Sequence, residues 1–158
     1  MSVKQKLILV GIAIVYKKVK DKPVWFIVKQ KEDADWELPK TTARRGESSV
    51  RSVIRMMGEQ AAMNVKVQEE VGRAGGAAMV GGTTVPQRQI YYLLVCKEAN
   101  EVLSFLDYDW LEYAKVVRKI KNKKELAMLK AAKDLLKEIE NKKTKSSVTH
   151  DRELGENY

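Results

Sequence analysis

The stretch from Trp36 to Met63, WELPKTTARRGESSVRSVIRMMGEQAAM, constrains this chain more than any other. Pro39 biases Leu38 away from helical geometry, so Trp36 to Pro39 is short and extended. Gly46 and Ser48 are boundary residues after a polar loop. Ser48 to Ala62 then reads as a helix. Val50, Val53, Ile54, Met57 and Ala61 recur at spacings of three and four and form one apolar stripe. Gly58 inside that helix costs about 1 kcal/mol relative to Ala, and either permits a close backbone contact or weakens the helix.

The flanking segments alternate between strand and helix signals. Lys6 to Val19 and Val24 to Gln30 are apolar, β-branched runs joined by a polar turn at Lys20 to Pro23, which predicts a hairpin. Lys31 to Asp35 is a polar loop. Val65 to Val71 is a strand, and Gly72, Gly75–Gly76 and Gly81–Gly82 predict flexible turns around a short strand at Ala77 to Val80. These glycines lack the spacing of a phosphate-cradling loop. Gln89 to Lys97 is the clearest core strand, with Tyr91 and Tyr92 on opposite faces. Trp110 to Ile120 contains a short helix. Glu125 to Ile139 is helical, with Leu126, Leu129, Ala132, Leu136 and Ile139 on one face. Residues 1–140 form one domain, and 141–158 read as a disordered basic and polar tail.

The spacing inside Trp36–Met63 resembles a Nudix box, G-x5-E-x7-R-E-U-x-E-E-x-G-U with U a bulky aliphatic residue, entered through a W-x-L-P-K-like strand end. Trp36, Leu38, Pro39 and Lys40 supply the entry. Glu47, with Gly46 before it, and Arg55 match the frame. Thr41 stands at the first Gly, Met56 and Gln60 at two of the three core glutamates, and Ala62 at the closing Gly; Glu59 is the remaining acid. Trp110 to Ala114 resembles a W-x-x-x-x-A segment that follows the last strand in such proteins. The resemblance covers roughly residues 5–140 and implies a Nudix-type α/β/α sandwich with a mixed sheet, a loop–helix and a C-terminal helix.

It also implies a chemistry. Clustered carboxylates hold Mg²⁺, which neutralises a pyrophosphate and activates water. In active members glutamates stand where Met56, Glu59 and Gln60 are, on one helix face by their spacing of three and four. The expected Mg²⁺ site is therefore weakened or lost, with Glu59 as the remaining catalytic or metal-binding acid and Glu47 as a weak metal ligand. Glu47 either pairs with Arg55 or supplies a favourable charge at a helix start. Some members place a base outside the box, and Glu98, Glu101 and Glu112 are candidates here. Glu69-Glu70-Val71-Gly72 imitates the end of the box, but Val65 and Lys66 stand where Arg-Glu is required.

Other conspicuous residues have plain readings. Met56 and Met57 are core gap-fillers or pocket linings, and Tyr91, Tyr92 and Trp110 pack in the core or stack on a base. Cys96 is a buried small hydrophobe, and His150 is isolated in the tail.

With 30 Lys and Arg against 21 Asp and Glu, the chain carries a net charge of +9, which favours anionic partners. Between Lys115 and Lys145 twelve Lys/Arg and four Asp/Glu leave +8, nearly the whole excess. No apolar run is long enough to span a bilayer, so a cytoplasmic protein without membrane partners is expected. Three functions follow in order. The first is a catalytically impaired fold that binds a nucleotide or other anionic ligand. The second is an RNA- or ribonucleoprotein-associated scaffold using the basic helix and tail. The third is an active metal-dependent hydrolase of nucleoside diphosphate compounds.

Overall fold

The computed structural model describes residues 7–99, 105 and 107–156, with side chains described at 7–97, 105 and 107–143. The first two strands, β1 (Ile8–Val19) and β2 (Lys22–Lys29), form the expected hairpin. Lys20 and Asp21 at its tip both have positive φ, 52° and 67°, which matches the right-handed twist of the two strands. Next come β3 (Lys40–Thr42), helix α1 (Ser49–Ala61), β4 (Met63–Val80), β5 (Thr83–Ala99) and β6 (Asp107–Leu111). Helices α2 (Tyr113–Lys119) and α3 (Lys123–Glu156) follow.

The strands form one six-stranded mixed sheet in the order β4-β5-β1-β2-β6, with β3 paired to the early part of β1. β1 runs parallel to β5 and antiparallel to its other neighbours. One face of the sheet carries Val10, Ile12, Ile14, Trp25, Tyr91 and Leu93 against α2 and α3. The other carries Ala13, Val15, Phe26, Tyr92 and Leu94 against α1. Period-two alternation along β1 and β5 thus supplies both cores, and Tyr91 and Tyr92 separate to opposite faces as expected. The architecture is the expected α/β/α sandwich.

One expectation is corrected. The glycines between 72 and 76 do not break the chain into turns; β4 runs through them to Val80, and the hairpin closes at Gly81–Gly82, with φ of 56° and 78°. A Cβ on Gly72 would lie 2.8 Å from Met128 Sδ of α3, the end of a flexible side chain. The segment Trp110–Ile120 contains the expected short helix, which begins at Tyr113, while Trp110 itself belongs to β6, paired with Phe26. Helix α3 runs on past residue 141 to Glu156. Apolar periodicity stops near Ile139, but Lys and Glu are good helix formers without a core to face.

Both strand prolines sit where a missing N–H costs no ladder bond. Counting from each hairpin tip, Pro23 opposite Lys18 and Pro86 opposite Ala77 fall at non-hydrogen-bonded pairs. Among the described residues, no helix is long and apolar enough to cross a membrane.

Buried Glu125 fixes the strand entry to α3. Asn122 caps that helix by accepting from the Lys124 and Glu125 N–H groups. The Glu125 carboxylate accepts the Leu38 N–H at 2.8 Å, with Lys40 Nζ at 3.8 Å. Burial pushes its carboxyl above the ordinary range, against the opposing pull of Lys40 and the Leu38 N–H.

Candidate functional site

The loop from Thr42 to Ser48 and helix α1 form one hydrogen-bonded unit. Gly46, with φ of 77°, lets the loop turn back. The Ser48 side chain caps α1 by accepting from Arg51 N–H. Glu47 ties loop to helix. Its Oε1 accepts from Arg44 N–H at 2.9 Å and from Arg55 Nη2 at 3.0 Å, and its Oε2 accepts from Arg55 Nε at 2.9 Å. The Arg55 hydrogen bond, then the Arg44 N–H, hold the Glu47 carboxyl down at about 2.

Helix α1 lies close against β1. A Cβ on Gly11 would sit 2.5 Å from Val53 Cγ2 and 2.8 Å from both Ser49 O and Ser52 Oγ. The two serines are buried; Ser52 donates to Ser49 O, and Ser49 shares a 2.6 Å hydrogen bond with the Tyr92 hydroxyl. This approach sets the rotation of the helix. The face turned to the sheet is Ser49, Ser52, Val53, Met56, Met57 and Ala61, whereas Ile54, expected on the apolar stripe, is 45% exposed.

The box positions therefore separate. Met56 is fully buried in the α1 core beside Val53 and Met57, while Glu59 is exposed and Gln60 partly so. The Glu59 carboxylate lies 3.7 Å from Arg44 Nη2 and 3.8 Å from Arg55 Nη1. Thr41 is in β3 opposite Gly11. Ala62 ends the helix in the left-handed conformation, φ 50° and ψ 39°, with its N–H bonded to Met57 O. That conformation is the one a Gly adopts freely. Gly58 has open space where its Cβ would stand, so no close backbone contact requires it.

Arg44 and Arg45, which the sequence reading did not single out, line a surface cleft of about 680 Å³ between the start of β1 and residues 42–47. Two adjacent arginines beside a glycine were the visible sign. Both point charge and forked donors at this cleft would suit an oxyanion. Among the described residues, no group of three or more His, Cys, Asp or Glu is placed to hold a metal.

Of the candidate bases from outside the box, one has a described side chain. Glu112 is an exposed residue at the start of α2. The Glu98 side chain, Glu101 and the His150 side chain lie outside the described residues. The box-like Glu69–Gly72 is part of β4, where Glu70 pairs with Arg73 at 2.9 Å. Trp110 packs against Phe26, ring centroids 4.9 Å apart.

No protein-family model matches the sequence, and no curated protein matches it either. Solved structures do resemble the fold. A Caenorhabditis elegans Ap4A hydrolase, solved as a binary complex, superposes with a TM-score of 0.68 at 15% identity, covering 82% of this chain and 97% of the hydrolase. The Nudix domain of Shewanella oneidensis NrtR, solved with ADP ribose, gives 0.64 at 16%, covering 84% and 90%. The Escherichia coli dihydroneopterin triphosphate pyrophosphohydrolase gives 0.60 at 12%, covering 77% and 91%. At these identities the likeness establishes the fold: the chain has the Nudix hydrolase fold.

Proposed function

We propose that this Nudix-fold protein binds a nucleotide or other anionic ligand in the cleft beside residues 42–47 and turns it over poorly or not at all. The observation that carries this reading is the fate of the three acid positions. Position 56 is a thioether sealed in the core, position 60 is an amide, and Glu59 lies between two guanidinium groups. Mg²⁺ favours oxygen donors, several of them charged, in near-octahedral array. The donor set at 56, 59 and 60 does not fit that demand. Loss of a general base alone typically costs on the order of 10² to 10⁴ in rate.

The remaining chemistry suits binding. Arg44 and Arg45 supply cations at the cleft, and the Glu47–Arg55 pair keeps the loop in place without a metal. The NrtR domain solved with ADP ribose shows that such a fold takes up an anionic nucleotide. Calorimetric titration against a nucleotide panel, with and without Mg²⁺, is the test. Binding that is insensitive to Mg²⁺ and weakened in the Arg44→Gln/Arg45→Gln double variant supports the reading. Absence of binding at millimolar ligand refutes it. Phosphate release that depends on Glu59, lost in Glu59→Gln, would instead establish an active hydrolase.

A second reading is favoured by the charge on α3. Lys123, Lys124, Lys130, Lys137, Lys142 and Lys143 are exposed along it, which suits an RNA-associated scaffold. RNA binding that falls steeply with salt and is weakened by truncation after Glu140 supports this role; binding indifferent to salt or to truncation counts against it.

A further inference from the structure

Some twenty ångströms along β1 from the loop cleft, by the ~3.3 Å rise per strand residue, the opposite end of the sheet meets the far part of α3. Two adjoining hollows lie there, of about 340 Å³ and 220 Å³, sharing Gln68, Ile139 and Lys143. The larger has Val95, Leu136 and Ile139 as its apolar lining, with Tyr16 presenting its hydroxyl. Lys18, Lys66, Lys97 and Lys143 line the pair against two acids, Glu69 and Glu140, a surplus of two positive charges. Lys18 is paired with Glu140.

The polar groups between the hollows are incompletely bonded. Gln68 Nε2 donates to the Tyr16 hydroxyl at 2.7 Å, while Gln68 Oε1 is buried without a partner. Exchanging the two ends of the amide only moves the vacancy from an acceptor to a donor. Trp25 Nε1, on the ring packed 5.7 Å from that of Tyr16, is likewise buried without a partner. Burial holds the Tyr16 hydroxyl protonated, so it retains a proton to donate. A buried polar atom left unpaired is costly, and native proteins supply it with water or a ligand.

We propose that this end of the sheet is a second ligand site, for a phosphate monoester carrying a neighbouring hydroxyl, the chemistry of a sugar phosphate. The surplus of two cations matches a dianionic phosphate better than a single carboxylate, and lysine is an effective point-charge partner for phosphate. Tyr16 donates to a phosphate oxygen, Gln68 takes the ligand hydroxyl, and Val95, Leu136 and Ile139 cover the carbon body. Such a group comes either as a free small molecule or as the 5′-phosphorylated end of a strand.

Nuclear magnetic resonance titration of the full chain tests this through the Gln68 side-chain amide. Ribose 5-phosphate is expected to shift it, while ribose or acetate at matched ionic strength leaves it in place. Lys97→Gln/Lys143→Gln is expected to weaken the response roughly tenfold or more, as loss of charge-assisted bonds does. Tyr16→Phe removes the hydroxyl donor and is expected to weaken it too. A 5′-phosphorylated oligoribonucleotide that shifts Gln68 where its 5′-hydroxyl counterpart does not identifies a strand end as the source; response to ribose 5-phosphate alone identifies a small molecule. An unmoved Gln68 amide, or equal shifts with acetate, overturns the proposal. Arg44→Gln separates the two sites: a Gln68 response lost in that variant places the ligand in the loop cleft and overturns the second site.

Discussion

Arg55 holds Glu47 at two points, Nε to Oε2 at 2.9 Å and Nη2 to Oε1 at 3.0 Å. This bidentate pair spans the loop–helix junction, and it lowers the carboxyl from its ordinary 4.5 to about 2. The stabilisation it gives is therefore fully present above about pH 4.5 and is lost as the pH falls through about 2. Carboxyl titration by nuclear magnetic resonance is expected to show Glu47 ionised well into acid in the native protein. In Arg55→Gln its titration moves back towards 4.5. A Glu47 midpoint that does not respond to loss of Arg55 would refute the pairing as the cause.

Helix α1 carries two backbone residues that work against it. Ala62 holds a left-handed conformation that a side chain disfavours, and Gly58 spends helical order on a residue with open space around it. Ala62→Gly is expected to stabilise by roughly 0.5–1 kcal/mol. Gly58→Ala is expected to stabilise by about 1 kcal/mol. The sites do not compete for space, so the double variant should come close to the sum in urea denaturation. A loss of stability in either single variant would contradict the local geometry.

Gly11→Ala is expected to do the opposite. Its methyl would meet Val53 Cγ2, Ser49 O and Ser52 Oγ, and one of these is backbone that cannot rotate away. Overpacking of this kind costs about 1–3 kcal/mol. Adding Val53→Ala relieves one of the three contacts, so the double variant should remain less stable than Val53→Ala alone.

Restoring the acids of the box should divide by position. Gln60→Glu places a charge on a partly exposed residue and is expected to be nearly neutral, within about 0.5 kcal/mol. Met56→Glu buries a carboxylate among Val53, Met57 and the sheet, and is expected to cost several kcal/mol at neutral pH. Part of that loss should be recovered as the pH falls and the side chain takes a proton. Denaturation curves at neutral and acidic pH read both effects, and an equally mild Met56→Glu would show that the helix can turn this position outwards.

The particular residues show what sequence alone reveals. The Leu38–Pro39 entry, the Lys20–Pro23 turn and the alternation of Tyr91 and Tyr92 are local, and each appears as expected. The rotation of α1 is not local: it depends on Gly11 of β1 meeting Ser49 and Ser52 of the helix, so Ile54, expected on the apolar stripe, faces solvent. Glycines 72 to 76 carry a turn signature, yet pairing with β5 draws them into β4. Arg44 next to Glu59 likewise depends on the loop folding back over the helix.

The parallel pairing of β1 with β5 has a consequence for the order in which the protein is made. β1 is made before the other strands of the sheet, and β2 can join it at once through a two-residue turn. Its other edge, from Ile8 to Tyr16, has no hydrogen-bonding partner until residues 87–95 emerge. By then β2, β3, α1 and β4 have already been synthesised. The nascent chain must shield an apolar strand edge until β5 is made, so the central seam of the sheet closes late.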